Sequence, residues 1–140
     1  MAFRIDIPWE PPREPALDIP FQVHFEIDSE SGDYDADEPM YELWEKYRLR
    51  HVEHVKEFAT RLVALFRGVT WLPGDPYSAD LPKMDILKLT KRATIIVQRT
   101  ECEDEKLYAL EVRFELEWDD EHGYALPFDE ETETFGDWQE

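Results

Sequence analysis

Apolar and polar side chains alternate most clearly between residues 107 and 118. Tyr108, Leu110, Val112, Phe114, Leu116 and Trp118 interleave there with Ala109, Glu111, Arg113, Glu115 and Glu117. A period of two sends one set to each face of a strand, so this segment is predicted as a strand with one buried and one wet face. Phe21, Val23, Phe25 and Ile27 alternate with Gln22, His24, Glu26 and Asp28 in the same way. Residues 93–100 hold the β-branched run Thr94-Ile95-Ile96-Val97, and Tyr124, Leu126 and Phe128 mark a further strand over 124–128.

Between the first strand and the later ones the period changes. From Pro39 to Arg67, the positions Trp44, Arg48, Val52, Val55, Ala59, Leu62 and Phe66 recur every three or four residues, and Leu43, Tyr47, His51, Phe58 and Leu65 widen the stripe. This spacing predicts one long amphipathic helix of ~42 Å. Asp37, Glu38 and Pro39 suit its start, and Arg67 and Gly68 suit its end. Weaker signals place short strands at Phe3–Ile7, Val69–Leu72 and Thr132–Trp138. Turns are expected at Ser29–Glu38, Pro73–Pro76, Cys102–Lys106 and Asp119–Gly123, with Gly123 supplying a positive φ.

Segregated helix and strands, joined late in the chain by short connections, predict an α+β fold. One long amphipathic helix packs on an antiparallel sheet of four to five strands. Phe25, Val55, Phe58, Leu62, Ile95, Val112, Phe114 and Leu116 are its expected core. The length of 140 residues suits a single domain over 1–140, with a Pro-rich extended arm (1–20) and an acidic tail (129–140).

Charge then narrows the partners. The formal net charge is -19, and it is unevenly placed. Residues 1–38 carry net -9, residues 39–99 net +4, and residues 100–140 net -14. Such a field disfavours nucleic acid and anionic membrane surfaces and favours basic proteins. The chain is 14% aromatic, too rich for a disordered acidic polymer. A single cysteine, Cys102, fits a reducing compartment, and no apolar run approaches the ~20 residues needed to span a bilayer. The expectation is a cytoplasmic protein that binds neither nucleic acid nor membrane.

Several residue groupings bear on chemistry. Asp33, Asp35 and Asp37 have the spacing that opens a calcium loop, but Glu38 and Trp44 stand where that loop needs a glycine and a bidentate carboxylate. They read as a solvated loop. His51 and His54 are close enough on a helix to share a metal, yet Cys102 is the only thiol and no further ligand is apparent. They read as packing residues. Glu121 and His122 place an acid beside a base, which general acid–base catalysis would supplement with a pocket and a third group. The five glycines form no nucleotide-binding loop, and acidic neighbours disfavour a Cys102 thiolate. No catalytic residue, metal or cofactor is therefore assigned.

Trp118-Asp119-Asp120-Glu121-His122-Gly123, followed by Tyr124-Ala125-Leu126-Pro127-Phe128 and a late Phe135-Gly136-Asp137, resembles a loose group of bacterial domains of unknown function. These end in a W-D-x-E-H-G hairpin, and some look like immunity or toxin-neighbourhood proteins. The resemblance spans about 20 residues, and Asp129-Glu130-Glu131 replaces the group's basic-glycine turn. It implies no catalytic residues.

Together these features predict a small acidic interaction protein that binds a basic partner, with an immunity protein as its concrete form. The expected contacts are Glu111, Glu115, Glu117, Asp119, Asp120, Glu121, Asp129, Glu130 and Glu131, with Tyr34 and Trp138 as aromatic anchors. One alternative is a small metal-dependent or acid–base enzyme using Glu121, His122 and the helix histidines. The other is a domain whose acidity serves solubility alone. The oligomeric state is left open by the sequence.

Overall fold

Six strands form one sheet in chain order in the computed structural model, which describes residues 2–140. The strands are β1 (Ala2–Asp6), β2 (Phe21–Asp28), β3 (Thr90–Cys102), β4 (Glu105–Leu116), β5 (Asp119–Asp129) and β6 (Thr134–Phe135). Three helices, α1 (Glu38–Arg48), α2 (His51–Arg67) and α3 (Lys83–Leu87), lie between β2 and β3, and a short 3-10 turn spans Pro15–Leu17.

The antiparallel expectation fails at one pairing. β2 and β3 run parallel, from Phe21 beside Ala93 to Asp28 beside Thr100, while every other neighbouring pair is antiparallel. The sheet is therefore mixed and six-stranded. The physical reason is the connection: a long helical crossover can return the chain to the starting end of a strand, which a hairpin cannot do. Short connections predict antiparallel neighbours only where they occur, between β3 and β6.

The single long helix is also corrected. It is two helices, divided at Leu49 and Arg50, where Arg50 leaves helical geometry at φ -120° and ψ 24°. Neither proline nor glycine stands at the break, so its origin is tertiary. The N-terminal arm crosses there: Trp9 packs edge-on against Trp44 (4.9 Å) and His51 (4.8 Å), and Phe21 meets the other side of His51 (4.7 Å). Tyr47 closes the joint, its hydroxyl 2.8 Å from His51 Nδ1. The apolar stripe continues in phase through the break, through Met40, Leu43, Trp44 and Tyr47 to His51, His54, Val55, Phe58 and Leu62. That continuity is why the pattern reads as one element.

The strand periods hold. Phe25, Ile27, Ala93, Ile95, Val97, Leu110, Val112, Phe114 and Leu116 face the helices in one core, joined there by Val55, Phe58, Leu62 and Phe66. All eight expected core residues are buried. Smaller expectations change. Val69–Leu72 is not a strand, and β3 runs from Thr90 to Cys102, longer at both ends than the expected 93–100. The β4–β5 reversal occurs at Glu117 and Trp118 with Asp119 already opposite Leu116, so Gly123 lies within β5 and is not among the positive-φ glycines. The acidic tail packs too: Phe135 is buried, and Gln139 bridges Ala125.

Phe114 carries much of this core, with ring contacts to Phe58 at 5.2 Å and Trp138 at 5.6 Å. Phe114→Ala is expected to cost about 3–5 kcal/mol, read from the shift in denaturant midpoint at unchanged slope.

Candidate functional site

A buried cation organises the most acidic end of the molecule. Arg99 lies on the core face of β3, two residues after Val97, and its side chain is wholly buried. A guanidinium offers five donors in a fixed fork and stays charged when buried. It therefore needs acceptors, and the loop after β2 provides them. Nη1 donates to the Asp35 carbonyl and Nη2 to the Asp33 carbonyl, both at 2.8 Å. Asp37 Oδ2 lies 3.1 Å from Nη1, and Glu101 Oε1 lies 3.4 Å from Nε.

The acceptors are fixed in turn. Tyr108 donates its hydroxyl to Asp37 Oδ2 at 2.6 Å, and burial together with that carboxylate raises the Tyr108 pKa to about 12. Ser29 and Ser31 donate to Glu101 Oε2 at 2.6 and 3.1 Å, which helps hold Glu101 below its ordinary pKa. Ser29 Oγ also accepts from the amides of Gly32 and Asp33, a turn that Gly32 permits at φ 86°. The spacing that suggested a calcium loop thus serves a guanidinium: carbonyl oxygens of Asp33 and Asp35 point inward to Arg99, and both residues remain exposed.

Beside this loop is the β3–β4 hairpin turn, Glu103 and Asp104, with φ of 50° and 66°. Both occupy the left-handed region that two-residue hairpin turns require and that Asn-Gly fills at least strain. An open cleft between loop and turn is lined by Glu30, Asp33, Glu101, Asp104 and Glu105, with Lys106 as its one basic side chain. The strand directions bring the β5–β6 turn, Asp129–Glu133, to the same end of the sheet. Glu130 there lies 4.0 Å from Lys46.

The other expected contacts are dispersed. Glu111 and Glu115 face the uncovered side of the sheet but are engaged, Glu111 with Arg113 at 3.0 Å and Glu115 with Arg92 at 2.7 Å. Glu117 is in the β4–β5 turn, and Asp119, Asp120 and Glu121 open β5 at the opposite end of the sheet from residues 129–131. Asp119 accepts from the Tyr124 hydroxyl at 2.7 Å and lies 2.9 Å from His122 Nδ1. That contact raises the His122 pKa. Tyr34 packs on Phe3 at 5.6 Å, and Trp138 packs on Phe114 and Tyr124, both half-buried. The structure adds Glu30, Glu103, Asp104 and Glu105, which only register could group with residues 129–131.

Glu121 and His122 lie apart from the helix histidines. His122 lines a cleft with Arg92, Arg113, Glu115 and residues 119–123, which neither helix histidine reaches. His51 sits among Trp9, Phe21 and Tyr47, and His54 among Tyr47, Phe128 and Phe135. Among the described residues no three His, Cys, Asp or Glu side chains are grouped to hold a metal. Comparison with family models, curated proteins and solved structures finds no match to this chain.

Arg99→Leu leaves two carboxylates and two carbonyls without their cation, and is expected to destabilise by about 3–5 kcal/mol. Arg99→Lys, lacking the fork, should recover only part of this in the same chemical-denaturation measurement. Burial lowers the pKa of both His51 and His54 to about 4. The unfolded chain therefore binds protons first, near pH 6.5, so stability is full above that value and falls as pH drops toward 4. The loss is on the order of 2–3 kcal/mol for each ring, and His54→Phe should flatten the pH dependence of the unfolding midpoint.

Proposed function

We propose that this protein binds a basic protein partner through the acidic end of its sheet, with the cleft between residues 29–37 and the β3–β4 turn receiving a lysine or arginine side chain. The observation that carries this reading is the convergence of acidic side chains on one cleft at this end of the sheet. Glu111, Glu115 and Asp119 are held by Arg113, Arg92, Tyr124 and His122 within the chain. Glu30, Asp104 and Glu105 converge on a cleft that holds one lysine. Of the expected contacts, Asp129, Glu130 and Glu131 belong to this end. Glu111, Glu115 and Asp119 are compensated within the chain, and Glu117, Asp120 and Glu121 lie away from this cleft.

Backbone strain supports the same end. Left-handed φ at two successive non-glycine residues costs stability that Asn-Gly would not. Carboxylates kept at such positions point to a use beyond folding. An immunity-type protein masking a cationic surface is the concrete form of this function. Long-range attraction between a chain of net charge -19 and a basic partner acts mainly on the association rate.

Selection from a random peptide library tests it. The wild-type chain should enrich lysine- and arginine-rich sequences whose association slows steeply with salt. Glu103→Asn with Asp104→Gly should stabilise the fold by about 1 kcal/mol and still slow that association, with dissociation changed less. Glu115→Lys should have a smaller effect on binding, because Glu115 is already paired. Enrichment of neutral or acidic peptides, or binding untouched by the Glu103/Asp104 exchange, would refute the reading, and a solubility role predicts no saturable binding at all.

A further inference from the structure

β1 forms one edge of the sheet, and its backbone direction can be read from a single bond. Ile7 N–H donates to the Val23 carbonyl at 3.0 Å, continuing the β1–β2 register in which Ile5 faces Phe25 and Phe3 faces Ile27. Hydrogen-bonding direction alternates along a strand. Phe3, Ile5 and Ile7 therefore bond inward to β2, while the N–H and C=O groups of Arg4 and Asp6 point outward from the open edge. Phe3 is 51% exposed, Ile5 and Ile7 are half-buried, and Arg4 and Asp6 are exposed, paired with each other at 2.8 Å on the uncovered face.

We propose that β1 is a homodimerisation edge, in which two copies pair antiparallel about a two-fold axis at Ile5 so that Arg4 of each chain lies opposite Asp6 of the other. The occupant is fixed by register and charge. Only outward-facing residues can exchange backbone hydrogen bonds across the new seam, so even-numbered residues must face even-numbered ones. Pairing Arg4 with Arg4, or Asp6 with Asp6, opposes like charges, and the latter also brings Pro8, which has no N–H, opposite Arg4. Pairing Arg4 with Asp6 opposes unlike charges twice and forms four backbone hydrogen bonds. The same register sets Ile5 against Ile5 and Phe3 against Ile7, covering the apolar side chains the edge leaves open. The result is a continuous sheet with isologous contacts, as two-fold symmetry demands. An interface of this length is small, and both chains carry net charge -19, so association is concentration-dependent.

Sedimentation velocity over a concentration series at physiological salt tests the pairing, with circular dichroism confirming each variant's fold. The wild-type chain should pass from monomer to dimer with rising concentration. Arg4→Asp gathers four carboxylates at the seam and Asp6→Arg gathers four guanidinium groups, so each alone should weaken dimerisation by about tenfold or more. An equimolar mixture of these two variants should form a heterodimer of wild-type strength, and the double exchange R4D/D6R should restore the homodimer. A wild-type chain monomeric at all concentrations up to roughly 1 mM, reversals without effect, or failure of both the mixture and the double exchange to recover association would each overturn the proposal. Because these residues lie on the edge strand and not at the acidic cleft, the result is independent of peptide binding there.

Discussion

A guanidinium buried at the end of β3 is the constraint around which the acidic half of this molecule is built. Desolvating a charge is costly unless its surroundings repay it with well-placed acceptors. Arg99 obtains them from two carbonyls, and the carboxylates of Asp37 and Glu101 add opposite charge at 3.1 and 3.4 Å. These four groups come from three places in the chain: the loop after β2 supplies both carbonyls, the residue before α1 supplies Asp37, and the end of β3 supplies Glu101. The first turn of α1 shows the consequence. Asp37 occupies the capping position but makes no side-chain cap, because its carboxylate is turned to Arg99 and Tyr108. Its carbonyl still accepts from the Met40 and Tyr41 amides, so the helix begins there regardless.

The same constraint sets the surface. A loop whose carbonyls point inward to a cation leaves its side chains outside, and Asp33 and Asp35 are both exposed. The adjacent hairpin turn adds Glu103 and Asp104 in left-handed geometry. Acidity at this end is thus a product of how one internal positive charge is satisfied, concentrated further by a turn that tolerates strain. At the other end, Asp119 is drawn into hydrogen bonds with Tyr124 and His122, and its charge is spent within the chain.

Local periodicity made the strands and their buried faces legible, because a period of two depends only on which residues face the core. Phe114 and Ile95 could be placed without knowing any neighbour. Direction was not legible in this way. Nothing in Phe21–Asp28 records that its parallel neighbour begins at Thr90, since that pairing is decided by the helical crossover between them. The break at Leu49–Arg50 was hidden for a related reason. It is imposed by Trp9 and Phe21 on His51, residues remote in sequence, within a stripe that stays in phase. The site was legible as charge and not as place. Residues 129–131 were found, but Glu30 and Glu103–Glu105 joined them only through strand direction, and the pairing of Glu115 with Arg92 could come only from cross-strand register. Arg99 itself looked like one more basic residue in a basic middle.

Acid acts on this chain through two opposing terms, and their order matters. A net charge of -19 repels itself in the compact state, and protonating carboxylates relieves that repulsion. Ordinary carboxylates titrate near 4, and Glu101, held by Ser29, Ser31 and Arg99, titrates lower still. The unfolded chain's imidazoles take up protons well before that, near pH 6.5, while His51 and His54 remain neutral among aromatic rings down to about 4. His122 has the opposite sign, since Asp119 raises its pKa, but it is exposed and its contribution is screened. Acidification therefore meets the histidine penalty first and the electrostatic relief second. The core imposes this order because the residues that close the joint between α1 and α2 are titratable rings placed where only neutral ones fit.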